Sequence, residues 1–162
     1  MTTRMTDEQV ARLRDVLEFV TTSPERWDQC VWYVLPSDEV VEREPGVDWT
    51  CGTSACVAGW TALRAGYRPL PGFGRATVRD SSDRHRLVDE VARELLGLTV
   101  WQADQLFHSE NNLRDLWELA RVFTRGRLAV PPAVAGQEPD VFTLGQDYWY
   151  RDDDDDDTDD DD

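Results

Sequence analysis

The sequence predicts a mainly α fold: a single compact domain of about five helices around a central small-residue helix. A short β element is possible, and the chain ends in a disordered acidic tail. Three observations lead there. Apolar residues recur at three- and four-residue spacing in several separate segments. Those segments open on capping signals and close on glycines at 66, 97 and 126. One of them, beginning in Cys51-Gly52-Thr53-Ser54-Ala55-Cys56-Val57-Ala58-Gly59-Trp60, is small or apolar around most of its circumference.

Thr6 and Gln9 have capping-box spacing, and Val10, Leu13, Val16, Leu17 and Val20 follow on one face of a helix ending near Thr22. Ser23 then caps a short helical turn with Pro24 at its first position. Residues 30–35 are β-prone and read as a short buried strand or a helix tail, whereas 36–50, with two Pro, one Gly and five acids, read as a solvated loop. The central helix is expected to be capped by Thr53 and to run to Gly66. On it Ala55, Ala58, Gly59, Ala62 and Ala65 form a small face that lets another backbone approach, beside a large face of Cys56, Trp60, Leu63 and Tyr67.

Residues 67–79, rich in Pro and Gly, form a loop with room for a short hairpin. Ser82 is expected to cap a third long helix whose Leu87, Val88, Val91, Ala92, Leu95 and Leu96 face the core, with Gly97 as its stop. Thr99 and Gln102 make a second capping box for a helix through Phe107. Leu113, Leu116, Trp117, Ala120 and Phe123 mark a last helix that Gly126 stops. The chain thus divides into a helical domain (1–126), an extended Pro/Gly/aromatic segment (127–150) and a poly-Asp tail (151–162).

With 40% hydrophobic residues and seven Trp in 162 residues, the body can bury a core. No apolar run approaches the roughly 20 residues of a bilayer span, and Met1-Thr2-Thr3-Arg4 begins no signal-like segment, so a soluble cytoplasmic protein with no membrane partner is expected. Three cysteines without framework spacing fit a reducing compartment. The net charge of −16 is uneven. Five Arg face eleven acids over 1–59, eleven Arg face nine acids over 60–130, and one Arg faces thirteen acids over 131–162. No Lys occurs, as GC-rich coding DNA would give.

Four features invite function. Cys51 and Cys56 straddle a helix start that favours a thiolate, so redox or metal chemistry is conceivable; yet the spacing is not C-x2-C, no second pair completes a metal set, and His85 and His108 have no motif spacing to the thiols. Small buried cysteines packing a tight turn are the preferred reading. Residues 92–107 resemble the turn and second helix of a helix-turn-helix, but Arg93 occupies a position where a small buried residue belongs. The exposed set Trp101, Gln102, Asp104 and Gln105 lacks an Arg for phosphate or guanine, so an αα-hairpin serving the core is preferred and no direct nucleic-acid binding is expected. Arg64, Arg68, Arg75, Arg79, Arg84 and Arg86 are interleaved with Asp80 and Asp83 and read first as a solvated face. The tail residues Asp152, Asp153, Asp154, Asp155, Asp156, Asp157, Asp159 and Asp160 can imitate the phosphates of a nucleic acid or merely keep the chain soluble. No nucleophile–base pair, phosphate loop or metal-spaced carboxylates are evident, so no catalytic residue, cofactor or metal is assigned.

Ser23-Pro24-Glu25-Arg26-Trp27-Asp28 with Trp32, then CGTSACVAGW, then LLGLTVWQADQLF, together resemble a group of small actinobacterial, bacterial and phage proteins. The likeness covers about residues 23–117; Gln29 departs from the Met common after the Asp, and the Asp tail lies outside the pattern. It implies an actinobacterial or actinophage cytoplasmic origin and carries no catalytic residue. Cys51, Gly52, Thr53, Cys56, Gly59 and Trp60 form its structural core motif. The expectation from the whole sequence is a non-enzymatic acidic protein of phage or prophage type that binds a basic host protein. The alternatives are a thiol or metal site at Cys51 and Cys56, and a helix-turn-helix-like regulator. Nothing in the sequence specifies an oligomeric state.

Overall fold

In the computed structural model, which describes residues 4–35, 52–70 and 76–138, helix α1 (Asp7–Thr22) begins where the Thr6–Gln9 spacing places it. The Thr6 hydroxyl accepts from the Gln9 N–H and the Gln9 side chain accepts from the Thr6 N–H, so two orphan donors of the first turn are satisfied. Val10, Leu13, Val16, Leu17 and Val20 are all buried, as their spacing requires. Pro24 opens a single 3-10 turn, Pro24–Arg26, but the Ser23 side chain makes no capping bond to it.

The chain reaches the central helix, α2 (Val57–Arg64), through a parallel bridge between Trp27 and Ala55 and an antiparallel bridge between Val34 and Ser54. Pairing with residues 26–34 sets where the helix starts. Ser54 exchanges both backbone hydrogen bonds with Val34, Ala55 bonds to Arg26 and Asp28, and the Cys56 N–H donates to Val31. Residues 54–56 are therefore held extended, and the helix starts three residues later than Thr53 would start it. Cys56, not Thr53, is the cap: its sulfur accepts from the Gly59 N–H at 3.4 Å. Residues 30–35 form no strand beyond the Val34 bridge, and Trp32 and Val34 are exposed rather than buried.

After Gly66 the chain forms a three-stranded antiparallel sheet in the order β1 (Arg68–Leu70), β2 (Thr77–Arg79), β3 (His85–Leu87). The hairpin foreseen in 67–79 is present, and a third strand takes the place where Ser82 was expected to cap a helix. Asp80 decides this. Its Oδ1 accepts from the backbone N–H of Ser82 and of Arg84, and the Asp80 N–H donates to the Arg84 carbonyl, which closes a tight turn. Helix α3 (Val88–Leu96) follows β3 directly, with Leu87 as its cap position and no side-chain cap bond. It ends on Gly97 in the left-handed region (φ 64°), where the Leu98 N–H reaches back to the Arg93 carbonyl.

Helix α4 (Val100–Leu106) carries the Thr99–Gln102 capping box as foreseen. Helix α5 (Leu113–Phe123) carries a third box, in which Asn112 and Asp115 exchange side-chain and backbone bonds. A further single turn, α6 (Pro132–Ala135), adds Val134 to the core, and Leu128 is buried there too, so the packed body continues past Gly126. The result is mainly helical with a small sheet. Helix α2 lies between α1 and α3, and every residue from Val57 to Leu63 is buried. Among the described residues no helix is long and apolar enough to cross a membrane. The loop assigned to 36–50, Cys51, residues 139–150 and the whole Asp tail lie outside the described residues.

Candidate binding surface

The small face of α2 admits a backbone, as its composition suggested. A Cβ built on Gly59 would lie 1.7 Å from the Trp32 carbonyl oxygen and 2.9 Å from the Ala55 Cβ, so no other residue fits without moving the chain. The Cys56 thiol also donates to the Trp32 carbonyl, at 3.9 Å. Next to it, Trp60 meets Phe19 edge-on at 4.7 Å, and its Nε1–H donates to the Arg26 carbonyl. The Cys-to-Trp motif thus anchors the 26–34 segment at two points.

This accounts for the cysteine. Burial pushes the Cys56 thiol up to about 11, despite the backbone N–H groups of the first turn that favour a thiolate. Cys30 is exposed, with its Sγ 3.6 Å from the Ser109 carbonyl, and Cys51 is not among the described residues. Among the described residues no three His, Cys, Asp or Glu side chains converge as metal ligands would. His85 lies in β3 and His108 just beyond α4. Thr53, buried but not a cap, has a hydroxyl with no hydrogen-bond partner among the described residues.

Gln29, the departure from the motif pattern, is buried, with its oxygen and one amide N–H hydrogen-bonded. Its Oε1 accepts from Trp27 Nε1 and the Val57 N–H, and its Nε2 donates to the Leu106 carbonyl. The side chain ties the start of α2 to the end of α4. Asn111 Nδ2 shares the same Leu106 carbonyl.

Of the arginines from 64 to 86, four are occupied within the chain: Arg64 with Asp15, Arg79 with Asp83, Arg84 with Asp80, and Arg86 with Glu94. Arg75 lies outside the described residues. The Arg86 guanidinium holds the Glu94 carboxyl below its ordinary value, and the N–H of Arg84 does the same for Asp80. This fits the solvated-face reading.

The side chains that point outward together are elsewhere. Trp32, the first turns of α3 and the length of α4 enclose a groove of about 410 Å³ lined by Trp32, Asp89, Glu90, Arg93, Val100, Ala103, Asp104, Phe107 and His108. The four large apolar residues most exposed among those described are Trp32 (38%), Val34 (48%), Val100 (63%) and Trp101 (46%). Two line this groove, and Trp101 adjoins Val100 on α4. Ala103 and Leu106 turn inward, as the helix-turn-helix likeness also requires, but the outward face of the pair is acidic. These residues belong to separate segments of the sequence, and the isolated aromatics at 32 and 101 are the signal it offers. No protein-family model, curated protein or solved structure matches the chain.

Proposed function

We propose that this is a non-enzymatic binding protein of phage or prophage type, acting in the cytoplasm, that engages a basic host protein such as a nuclease or another nucleic-acid-binding factor. The observation that carries the reading is the charge distribution: thirteen acids against one Arg over residues 131–162, on a chain of net charge −16. Such a run matches the charge density to which a nucleic-acid-binding surface is adapted, and so competes for it. The motif likeness to actinobacterial and phage proteins supports the origin. The buried, alkaline-shifted Cys56 argues against thiol chemistry, and the acidic outward face of α3 and α4 against duplex binding.

The test is affinity capture from an actinobacterial host lysate with the full chain and with a form lacking residues 152–162. A specific basic protein should be retained, its retention should fall steeply as salt is raised, and deletion should weaken it further. Equal retention after deletion removes the tail from the mechanism. Retention of no basic protein by either form removes the proposal.

A further inference from the structure

We infer that the groove between Trp32, α3 and α4 receives an arginine or lysine side chain from a basic segment of a partner protein, held by the Trp32 indole and the carboxylates of Asp89, Glu90 and Asp104. The inference rests on the basic-partner reading above but uses a different part of the molecule from the Asp tail.

The groove carries an excess of negative charge. Elsewhere on the described surface, carboxylates near guanidinium groups are paired: Glu94, also on α3, lies 2.7 Å from Arg86, and Glu118 bonds to both Arg114 and Arg121. In the groove, Asp89 and Asp104 make no side-chain hydrogen bond or ion pair among the described residues, although Arg93 lines the same space, and Glu90 feels Arg86 only at longer range, that guanidinium being bonded to Glu94. Three carboxylates against one guanidinium leave a site complementary to an added cation. An anionic ligand such as duplex DNA would be repelled.

Its rim is aromatic at Trp32. A guanidinium or ammonium over an indole face gains cation–π attraction, more so where neighbouring apolar side chains exclude water. Val100, Ala103 and Phe107 supply that apolar border along α4 and its end. The main chain that carries the indole is held in advance, because the Trp32 carbonyl lies against Gly59 and accepts from the Cys56 thiol.

The experiment is a titration of isotopically labelled full-length protein with a nona-arginine peptide at physiological salt, following the Trp indole resonances. The Trp32 signal is identified by its loss in Trp32→Phe. The expected result is a saturable shift of the Trp32 indole and roughly ten-fold weaker binding in the triple variant Asp89→Asn, Glu90→Gln, Asp104→Asn, whose helical circular dichroism is unchanged. Should the triple variant fold poorly, Asp104→Asn alone, on the exposed side of α4, should give a smaller loss in the same direction. A form with Asp152–Asp157 replaced by Asn should bind less tightly overall yet keep the Trp32 shift.

An unmoved Trp32 signal, or a groove variant that binds as well as the parent, overturns the inference. If binding is then lost only in the tail variant, the charge-based function stands while the groove does not take part. If the peptide binds no form at all, both readings fall. Duplex DNA moving the Trp32 signal would overturn the assignment to a basic protein. So would a concentration-dependent dimer abolished by Trp32→Ser, which would give the groove to a second copy.

Discussion

A methyl group at position 59 measures how closely α2 and the 31–34 segment approach. With its Cβ 1.7 Å from the Trp32 carbonyl oxygen, a backbone atom that cannot swing aside, Gly59→Ala should destabilise the protein by about 3 kcal/mol. It should also displace Trp32 from the groove. Urea unfolding reads the first effect and the peptide titration the second; a near-neutral Gly59→Ala would mean the contact is looser than it looks. Cys56 gives a pH test. Its folded value, about 11, lies above its ordinary value of 9.0, so its protonated form favours folding. That contribution is complete below pH 9 and is lost as pH rises from 9 through 11, about 2 to 3 kcal/mol in all. Tyr33, raised by burial, acts in the same direction at higher pH. Cys56→Ala should therefore flatten, but not abolish, the alkaline loss of stability, and an unchanged slope would refute the assignment. Alkylation of the folded protein should modify exposed Cys30 and spare Cys56 until denaturant is added.

At the scale of elements, what was legible in the sequence was what depends on neighbours three or four residues away. The capping boxes at Thr6 and Thr99, the αL stop at Gly97 and the buried stripe of α1 are set by such local geometry, and all occur as the spacing implied. The Asn112–Asp115 box has the same logic in a less familiar residue pair. The misreadings at Thr53 and Ser82 came where a competing partner was distant, or locally stronger. Thr53 lost to backbone pairing with residues 26–34. Ser82 lost to Asp80, whose carboxylate organises the β2–β3 turn. Asp80→Ala should loosen the turn, seen as faster amide exchange across 79–85 with α3 still protected. Gln29→Met should cost about 1 to 3 kcal/mol because it leaves the Val57 N–H unpaired at the start of α2. A gain in stability there would show that a water or a backbone shift replaces the amide.

For the whole molecule, the packed body extends beyond the last long helix. Leu128 and Val134 join the core, the Arg114 guanidinium reaches the Ala135 carbonyl, and Arg127 binds both Asp7 and the Met5 carbonyl. A chain stopped at Gly126 should lose about 3 to 5 kcal/mol from the exposure of those two apolar contacts, with a lower urea midpoint. The sequence by itself determined the helical class, the main helix stops, the small-residue face of α2 and the uneven charge, because each follows from local periodicity or composition. Only the tertiary structure decided where α2 starts, that β3 precedes α3, that Cys56 is a buried cap, and that Trp32 meets Asp89, Glu90 and Asp104 in one groove. Those outcomes depend on which distant segments compete for the same backbone donors and the same surface. That competition is settled when the chain packs, and residue spacing along the sequence does not encode it.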